Sequence, residues 1–304
     1  MNIVKENIIK EVKNCLMKAG FLMLDCYYWR ALIFDIIAKR ENILLLIKVK
    51  MNIDALTEEE TMNLRILAKN LGASPIIIGV HTGSKKLEEG IVYGRFGVPI
   101  ITKETMVELL INNNPPYVFT APGGLFVKIS SAALHEFMKK MKYTRGQLAK
   151  KLGVTRTAVL LYERGGAASL DVAIKIEEDM DSRIIQPTDP FKINSVEDIE
   201  SNKNLEKNSF FFPNVTVRDK DEFTIEIIET LNDMGCKVVT LVRCPFNAVT
   251  LDKKVIMLTG ISQFDKIGDR AKLTYKISKF TSKKSFFVVE KIKKDTNMDG
   301  IPLV

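Results

Sequence analysis

Residues 144–165 read TRGQLAKKLGVTRTAVLLYERG, two short helical stretches with a glycine between them. Thr144 is placed to cap the first helix, Gly153 suits the left-handed position that ends it, and Thr155 is placed to cap the second. Leu148, Ala149, Leu152, Val154, Val159 and Tyr162 fall where two crossing helices need a small shared core, and Ala149 lets the backbones come close. The spacing predicts a helical hairpin around which the rest of the chain is arranged.

Charge points the same way. Between Met138 and Arg164 stand eight basic residues (Lys139, Lys140, Lys142, Arg145, Lys150, Lys151, Arg156, Arg164) against one acid, Glu163, so the local balance of +7 nearly equals the whole chain's +8. Basic charge gathered in one place is the footprint of phosphate binding, with an affinity that falls steeply as salt rises. The alternative is a solvated hairpin packed against another domain or protein, which has no reason to collect that charge.

Gln147-Leu148-Ala149, Leu152-Gly153-Val154-Thr155 and Tyr162-Glu163-Arg164-Gly165 resemble the Cro/C1-type helix-turn-helix of phage repressors, over roughly Ala132 to Gln186. With its flanks, the whole chain resembles the archaeal Cro/C1-type transcriptional regulators. The resemblance implies that the second helix lies in the major groove of double-stranded DNA with its first turn against base edges. Carried over by position, it turns Arg156, Thr157 and Leu161 toward bases, Arg156 as a bidentate partner for guanine and Leu161 against a thymine methyl. It gives Arg145, Thr155 and Arg164 to phosphates, with Thr144 and Gln147 completing the DNA-binding set. Leu161 replaces a residue that is often polar, and Leu160 adds an apolar side chain suited to packing. Regulators of this type bind two half-sites about 34 to 36 Å apart as two-fold dimers, so a homodimer is implied.

Composition excludes several other classes. A chain of 304 residues has room for two or three domains, and no run of 18 apolar residues is present to span a membrane. The opening MNIVKENIIKEVKNCLMKAG lacks the apolar centre and cleavage site of a signal peptide, so a cytoplasmic location is expected. Cys15, Cys26, Cys236 and Cys244 show no C-x-x-C spacing, and only His81 and His135 could join them, so free thiols are expected and no metal or cofactor is. No serine or cysteine is tied to either histidine by a nucleophile motif. His81 follows a strand ending at Val80, in the stretch Gly79 to Lys86, which fails the spacing of a phosphate-binding loop and reads as an ordinary loop.

The flanks read as mixed α/β. Met1 to Ala19 is an amphipathic helix, Phe21 to Tyr28, Ala31 to Ala38 and Asn42 to Lys50 are strand-like, and Thr57 to Leu71 is a helix closed by Gly72. A strand from Ser74 to Val80, another at Val98 to Ile101 and a helix from Glu104 to Ile111 complete the module. Asp35 on one strand and Lys48 and Lys50 on the next resemble the restriction-endonuclease-like fold of Holliday-junction resolvases, which sets an Asp before a Glu-x-Lys so that two carboxylates hold magnesium and the lysine steadies the attacking water. Here Lys48 stands at the Glu position, and an ammonium in the site opposes a divalent cation, so the module reads as a nuclease fold without nuclease chemistry.

The C-terminal stretch repeats this order. A constant shift of 212 residues aligns Ile43 to Leu46 with Val255 to Leu258, the helix around Leu64 with that around Lys276, and Pro75 to Ile78 with Phe287 to Glu290. Gly97-Val98-Pro99-Ile100 answers to Gly300-Ile301-Pro302-Leu303, while Asn247, Gly260 and Ser262 stand at the positions of Asp35, Lys48 and Lys50. This copy stops at Val304 ahead of any equivalent of the helix Glu104 to Ile111, so either that helix was lost or the chain is cut short.

The fold class expected is α/β, a central all-α helix-turn-helix domain (131–186) flanked by two related mixed α/β modules (1–114 and 215–304) through linkers at 115–130, with a short strand at Leu125 to Ile129, and 187–214. The function expected is a sequence-specific DNA-binding transcriptional regulator, not an enzyme, with flanking modules for dimerisation or for sensing an effector the sequence does not identify. The alternative is a metal-dependent, structure-specific DNA nuclease targeted by the helix-turn-helix.

Overall fold

The computed structural model describes residues 3–29, 32–179, 183–192, 221–263, 267–290, 297–298 and 300–304. The chain forms two compact units, one built from 1–21, 49–56 and 76–204, the other from 22–48, 57–75 and 205–304. Among the described residues no helix is long and apolar enough to cross a membrane.

In the first unit, helix α1 (Ile3–Lys18) buries Ile8, Ile9, Val12, Cys15 and Leu16, and packs on the helix Lys103–Leu110, where Glu11 pairs with Lys103. The sheet here runs in the order β4 (Ser74–Thr82), β7 (Val98–Ile101), β6 (Ile91–Arg95), β8 (Val118–Ala121), β9 (Gly124–Ile129), β10 (Ala167–Ser169), with β5 (Lys85–Lys86) beside β4 and β11 (Ile185–Gln186) also on β9. The β4–β7 and β6–β8 pairs are parallel and the others antiparallel. The segment after Val80 is not an open loop: β4 runs on to Thr82, and the Asp54 carboxylate accepts hydrogen bonds from Gly83 N at 2.6 Å, from Thr82 Oγ1 and from Arg95.

Two expectations need correction. The short strand at Leu125 to Ile129 is present as part of β9, but the stretch before it is no linker: β8 pairs with β9 as a hairpin, Val118 facing Val127, and Phe119 and Phe126 stack at 6.2 Å. The turn is made possible by Gly123 and Gly124, both at positive φ (101° and 133°), and the strand formers on either side of it supply the rest. The central domain also is not helical throughout, because Ala167–Ser169 and Ile185–Gln186 add short strands to β9. Ala167, Ala168 and Ser169 have little strand propensity and are held there by the partner strand, not by their own preference.

In the second unit, β1 (Leu22–Asp25), β2 (Ile36–Arg40) and β3 (Ile43–Asn52) pair antiparallel, beside α2 (Glu58–Leu71). Thr57 caps α2 by accepting from Glu60 N at 3.1 Å, three acids fill its first turn, and Gly72 ends it at φ 70°. The C-terminal module follows with α8 (Glu222–Asp233), β12 (Lys237–Thr240), β13 (Ala248–Asp252), β14 (Val255–Ser262), α9 (Gly268–Thr281), β15 (Lys284–Val289), β16 (Asn297–Met298) and β17 (Ile301–Pro302).

The internal repeat is visible in strand register. Ile36 faces Ile47 as Ala248 faces Thr259, and Glu41 and Lys253 carry the same positive φ in their turns (51° and 52°). The shift is not constant, however. β3 is ten residues long and β14 eight, and beyond them the offset falls to 210: α2 and α9 both have 14 residues, end at Gly72 and Ser282 in the left-handed region, and lead into strands beginning at Ser74 and Lys284. Phe287 bridges Leu303 in parallel, as Ile77 does Ile100. Within the second unit the copies touch reciprocally, Val242 N donating to Asn63 Oδ1 of α2 at 3.2 Å while α9 packs on β1.

Residues 193–220, most of the expected 187–214 linker, lie outside the described residues. The part before them is anchored: Thr188 is fully buried and its N–H donates to Pro116 O at 2.7 Å.

Candidate nucleic-acid interface

The helical hairpin forms where its caps place it. Helix α4 (Ser131–Met141) leads through Lys142, in the left-handed conformation, to α5 (Arg145–Leu152), which starts with a capping box between Thr144 and Gln147. Gly153 (φ 70°) turns the chain, Thr155 accepts from Ala158 N at 3.1 Å, and α6 (Arg156–Glu163) begins. Leu148, Ala149, Leu152, Val159 and Tyr162 are all buried in one core with Leu134, Phe137 and Met138 of α4 and with Ala173 and Ile176 of α7 (Leu170–Glu177); Val154 packs at its edge. Ser169 occupies the cap position of α7, but its side chain makes no cap hydrogen bond.

Because Val159, Tyr162 and Glu163 face inward, the 100° step of a helix turns Thr157, Leu161 and Arg164 outward, and all three are exposed. Arg156 is also exposed and lies on the flank toward α5, where an open cleft is lined by Thr144, Arg145, Gly146, Arg156, Thr157 and Leu160. Leu160 is half-buried in that cleft, while Leu161, 43% exposed, leans on Gly166.

The structure therefore brings together Thr144, Arg145, Arg156 and Thr157 at one cleft, with Leu161 and Arg164 further along the outer face of α6. Four of the sequence-derived set, Thr144, Arg145, Gln147 and Thr155, have partners within the hairpin. The Gln147 side-chain oxygen accepts from Thr144 N at 2.8 Å, and the Arg145 guanidinium pairs with Glu163, whose side chain is 8% exposed. Glu163 is the residue the sequence reading passed over, treating it only as the one acid in a basic stretch. His135 Nε2 stands 3.9 Å from the same carboxylate while its Nδ1 lies 2.8 Å from Ser131 O, and the Ser131 hydroxyl donates to Glu163 O. Lys151 is pinned by Asp179 at 2.7 Å and by the Tyr143 hydroxyl, and the Asp179 hydrogen bond first, then Tyr143, raises its pKa.

The other candidate chemistry lies in the N-terminal module. Asp35 stands just ahead of β2, not within it, and its N–H donates to Ile47 O at 2.7 Å. Lys48 Nζ lies 3.4 Å from Asp35 Oδ1 and donates to Leu32 O, and both side chains are buried. In the second copy, Asn247 takes the Asp35 position and its Oδ1 accepts from Arg270 at 2.8 Å, while Arg270 Nε donates to Pro245 O at 3.1 Å. Both copies thus set a cation between a loop carbonyl and the side chain at this position, from β3 in one and from α9 in the other. Where Lys48 has its counterpart, Gly260, the Phe287 ring fills the space. Among the described residues no three His, Cys, Asp or Glu side chains converge as a metal-binding set.

A capped, cationic helix pair with an uncovered second helix, joined to a nuclease-like module, defines a helix-turn-helix protein of compound architecture. Residues 134–184 match the Helix-turn-helix family and residues 5–116 the PD-(D/E)XK superfamily domain. Proteins of Thermococcus kodakarensis (35% identical over 99% of this chain and 90% of its own), Pyrococcus furiosus (34%, 99% and 91%) and Natronomonas pharaonis (33%, 98% and 91%) are similar along their length, and each is named "Putative HTH-type transcriptional regulatory protein". The chain belongs to this archaeal family of HTH-type transcriptional regulatory proteins. No solved structure matches it.

Proposed function

We propose that this protein is a sequence-specific DNA-binding transcriptional regulator that inserts α6 into the major groove, reads bases with Arg156, Thr157 and Leu161, and holds phosphates with Arg145, Thr155 and Arg164. The observation that carries this reading is the exposure of Arg156, Thr157 and Leu161 on α6, and of Arg164 just past its end, while the other side of the helix is locked into the core. Thr144 and Gln147 contribute by fixing the start of α5, and Arg145 does double duty, since its pairing with Glu163 orients it. A two-fold homodimer engaging a palindromic site, in the cytoplasm, completes the reading.

We read the N-terminal module as a scaffold without nuclease activity. Its match to the PD-(D/E)XK superfamily favours the alternative, a metal-dependent nuclease targeted by the helix-turn-helix. Against it, the Lys48 ammonium faces the Asp35 carboxylate, where positive charge opposes a divalent cation. Incubation with branched and linear DNA plus magnesium or manganese separates the two: cleavage abolished by Asp35→Ala would establish the nuclease.

The direct test is selection of bound DNA from a random pool, with the full chain and with Arg156→Ala. The wild type should select a short palindromic motif, and the variant should lose preference at one base pair per half-site, at a cost of about 1 to 3 kcal/mol. Binding that ignores salt and Arg156→Ala would make the hairpin a protein-contact module instead.

A further inference from the structure

Gly146 is the second residue of α5, and nothing in its own backbone asks for glycine: it has no positive φ, unlike Gly153 at the end of the same helix. A glycine in a helix weakens it relative to alanine, so its presence here needs another cause. The cause visible in the structure is Arg156. A Cβ on Gly146 would stand 3.1 Å from both Nε and Nη2 of Arg156 and 3.3 Å from its Cζ, so the guanidinium lies over the bare Cα. The contact crosses from α5 to α6 and closes one side of the cleft lined by Thr144, Arg145, Thr157 and Leu160.

Arg156 also differs from its neighbour Arg145. Arg145 is tied to Glu163, whereas among the described residues no carboxylate or carbonyl engages the guanidinium of the exposed Arg156. A long side chain that must present a fork of donors at one angle loses rotamer freedom on binding, and a seat that fixes it beforehand lowers that cost without consuming a donor.

We infer that Gly146 is a positioning residue for base readout: by offering Arg156 a surface without a side chain, it sets the angle of the guanidinium and so the preference at the base pair Arg156 reads. The inference rests on the DNA-binding reading above. It assigns specificity to a residue that need not touch the DNA.

The test uses the full chain as wild type, Gly146→Ala, Gly146→Leu, Arg156→Ala and the double variant Gly146→Leu/Arg156→Ala. Motif selection from a random pool is combined with affinity for a scrambled duplex and with thermal unfolding. Gly146→Ala should raise the unfolding temperature by a few degrees through helix propensity and yet weaken preference at the Arg156-dependent base pair. Gly146→Leu should reduce that preference roughly tenfold, with the other positions and the scrambled duplex within about twofold of wild type. The double variant should be no worse at that position than Arg156→Ala alone. If the Gly146 variants keep the full preference, or lose it evenly at every position, the inference is overturned while DNA binding stands. If the wild type selects no motif, the DNA-binding reading itself fails and the inference goes with it.

Discussion

Lys48 Nζ stands 3.4 Å from Asp35 Oδ1 inside the N-terminal module, both side chains buried. The ammonium supplies within the protein the positive charge that offsets the buried carboxylate. The second copy reaches a similar end by another route, with Arg270 on Asn247.

Removing one half of that pair should be costly. Lys48→Met leaves the buried Asp35 carboxylate without the ammonium and should lower stability by about 3 to 5 kcal/mol in urea unfolding. Lys48→Met with Asp35→Asn, which copies the uncharged Asn247 of the repeat, should recover much of the loss. A double variant as unstable as the single one would mean that the charge pair is not what holds this site.

The Arg145–Glu163 pair should couple the two helices of the hairpin. Arg145 is half-exposed, so solvent screening limits its worth, and Glu163→Gln should cost about 1 to 2 kcal/mol. A double-mutant cycle of Arg145→Ala and Glu163→Gln should show a coupling energy near 1 kcal/mol. Additive effects would leave Arg145 a surface cation whose only role is toward phosphate.

The Cys26 thiol should be silent until alkaline pH. Burial above all, then the carboxylates of Asp25 and Asp35, raise Cys26 from 9.0 to about 12, with Lys276 opposing, and burial also raises Cys244. A thiol with its pKa raised on folding contributes stability in full below the unfolded value, and that contribution is lost as pH climbs from about 9 toward 12. Unfolding midpoints should therefore decline above pH 9, less so in Cys26→Ala, and a thiol reagent at pH 8 should leave Cys26, which is fully buried, unmodified in the native protein.

Gly260 should tolerate no side chain. A Cβ there would stand 2.1 Å from the Phe287 ring, so Gly260→Ala should cost on the order of 2 to 3 kcal/mol by overpacking. Gly260→Ala with Phe287→Leu should relieve part of that cost. An unaffected melting profile for Gly260→Ala would show that the ring moves freely.

Local chemistry made much of this protein legible in its sequence. Thr144, Gly153 and Thr155 act through hydrogen bonds and backbone preferences within a few residues, so the helix-turn-helix and its core could be read before any tertiary contact was known. The repeat was legible for the same reason, since turns and helix ends leave marks such as Gly20 and Gly235 or Gly97 and Gly300, all at positive φ. The two-residue change in offset was not, because identity is too low to show where the longer β3 absorbs the difference.

The tertiary structure decided what depends on distance between residues far apart in the chain. Ala167–Ser169 became a strand only because β9 offers it unpaired backbone groups, Arg145 turned to Glu163 because a buried carboxylate needs a cation, and Arg156 settled on Gly146 because only there does the neighbouring helix lack a side chain. Sequence determines which residues can form a helix, cap it or carry charge, since those properties belong to the residue and its near neighbours. Which cation meets which anion, and which surface stays open to a duplex, follows from packing, and packing is settled only when the whole chain has folded.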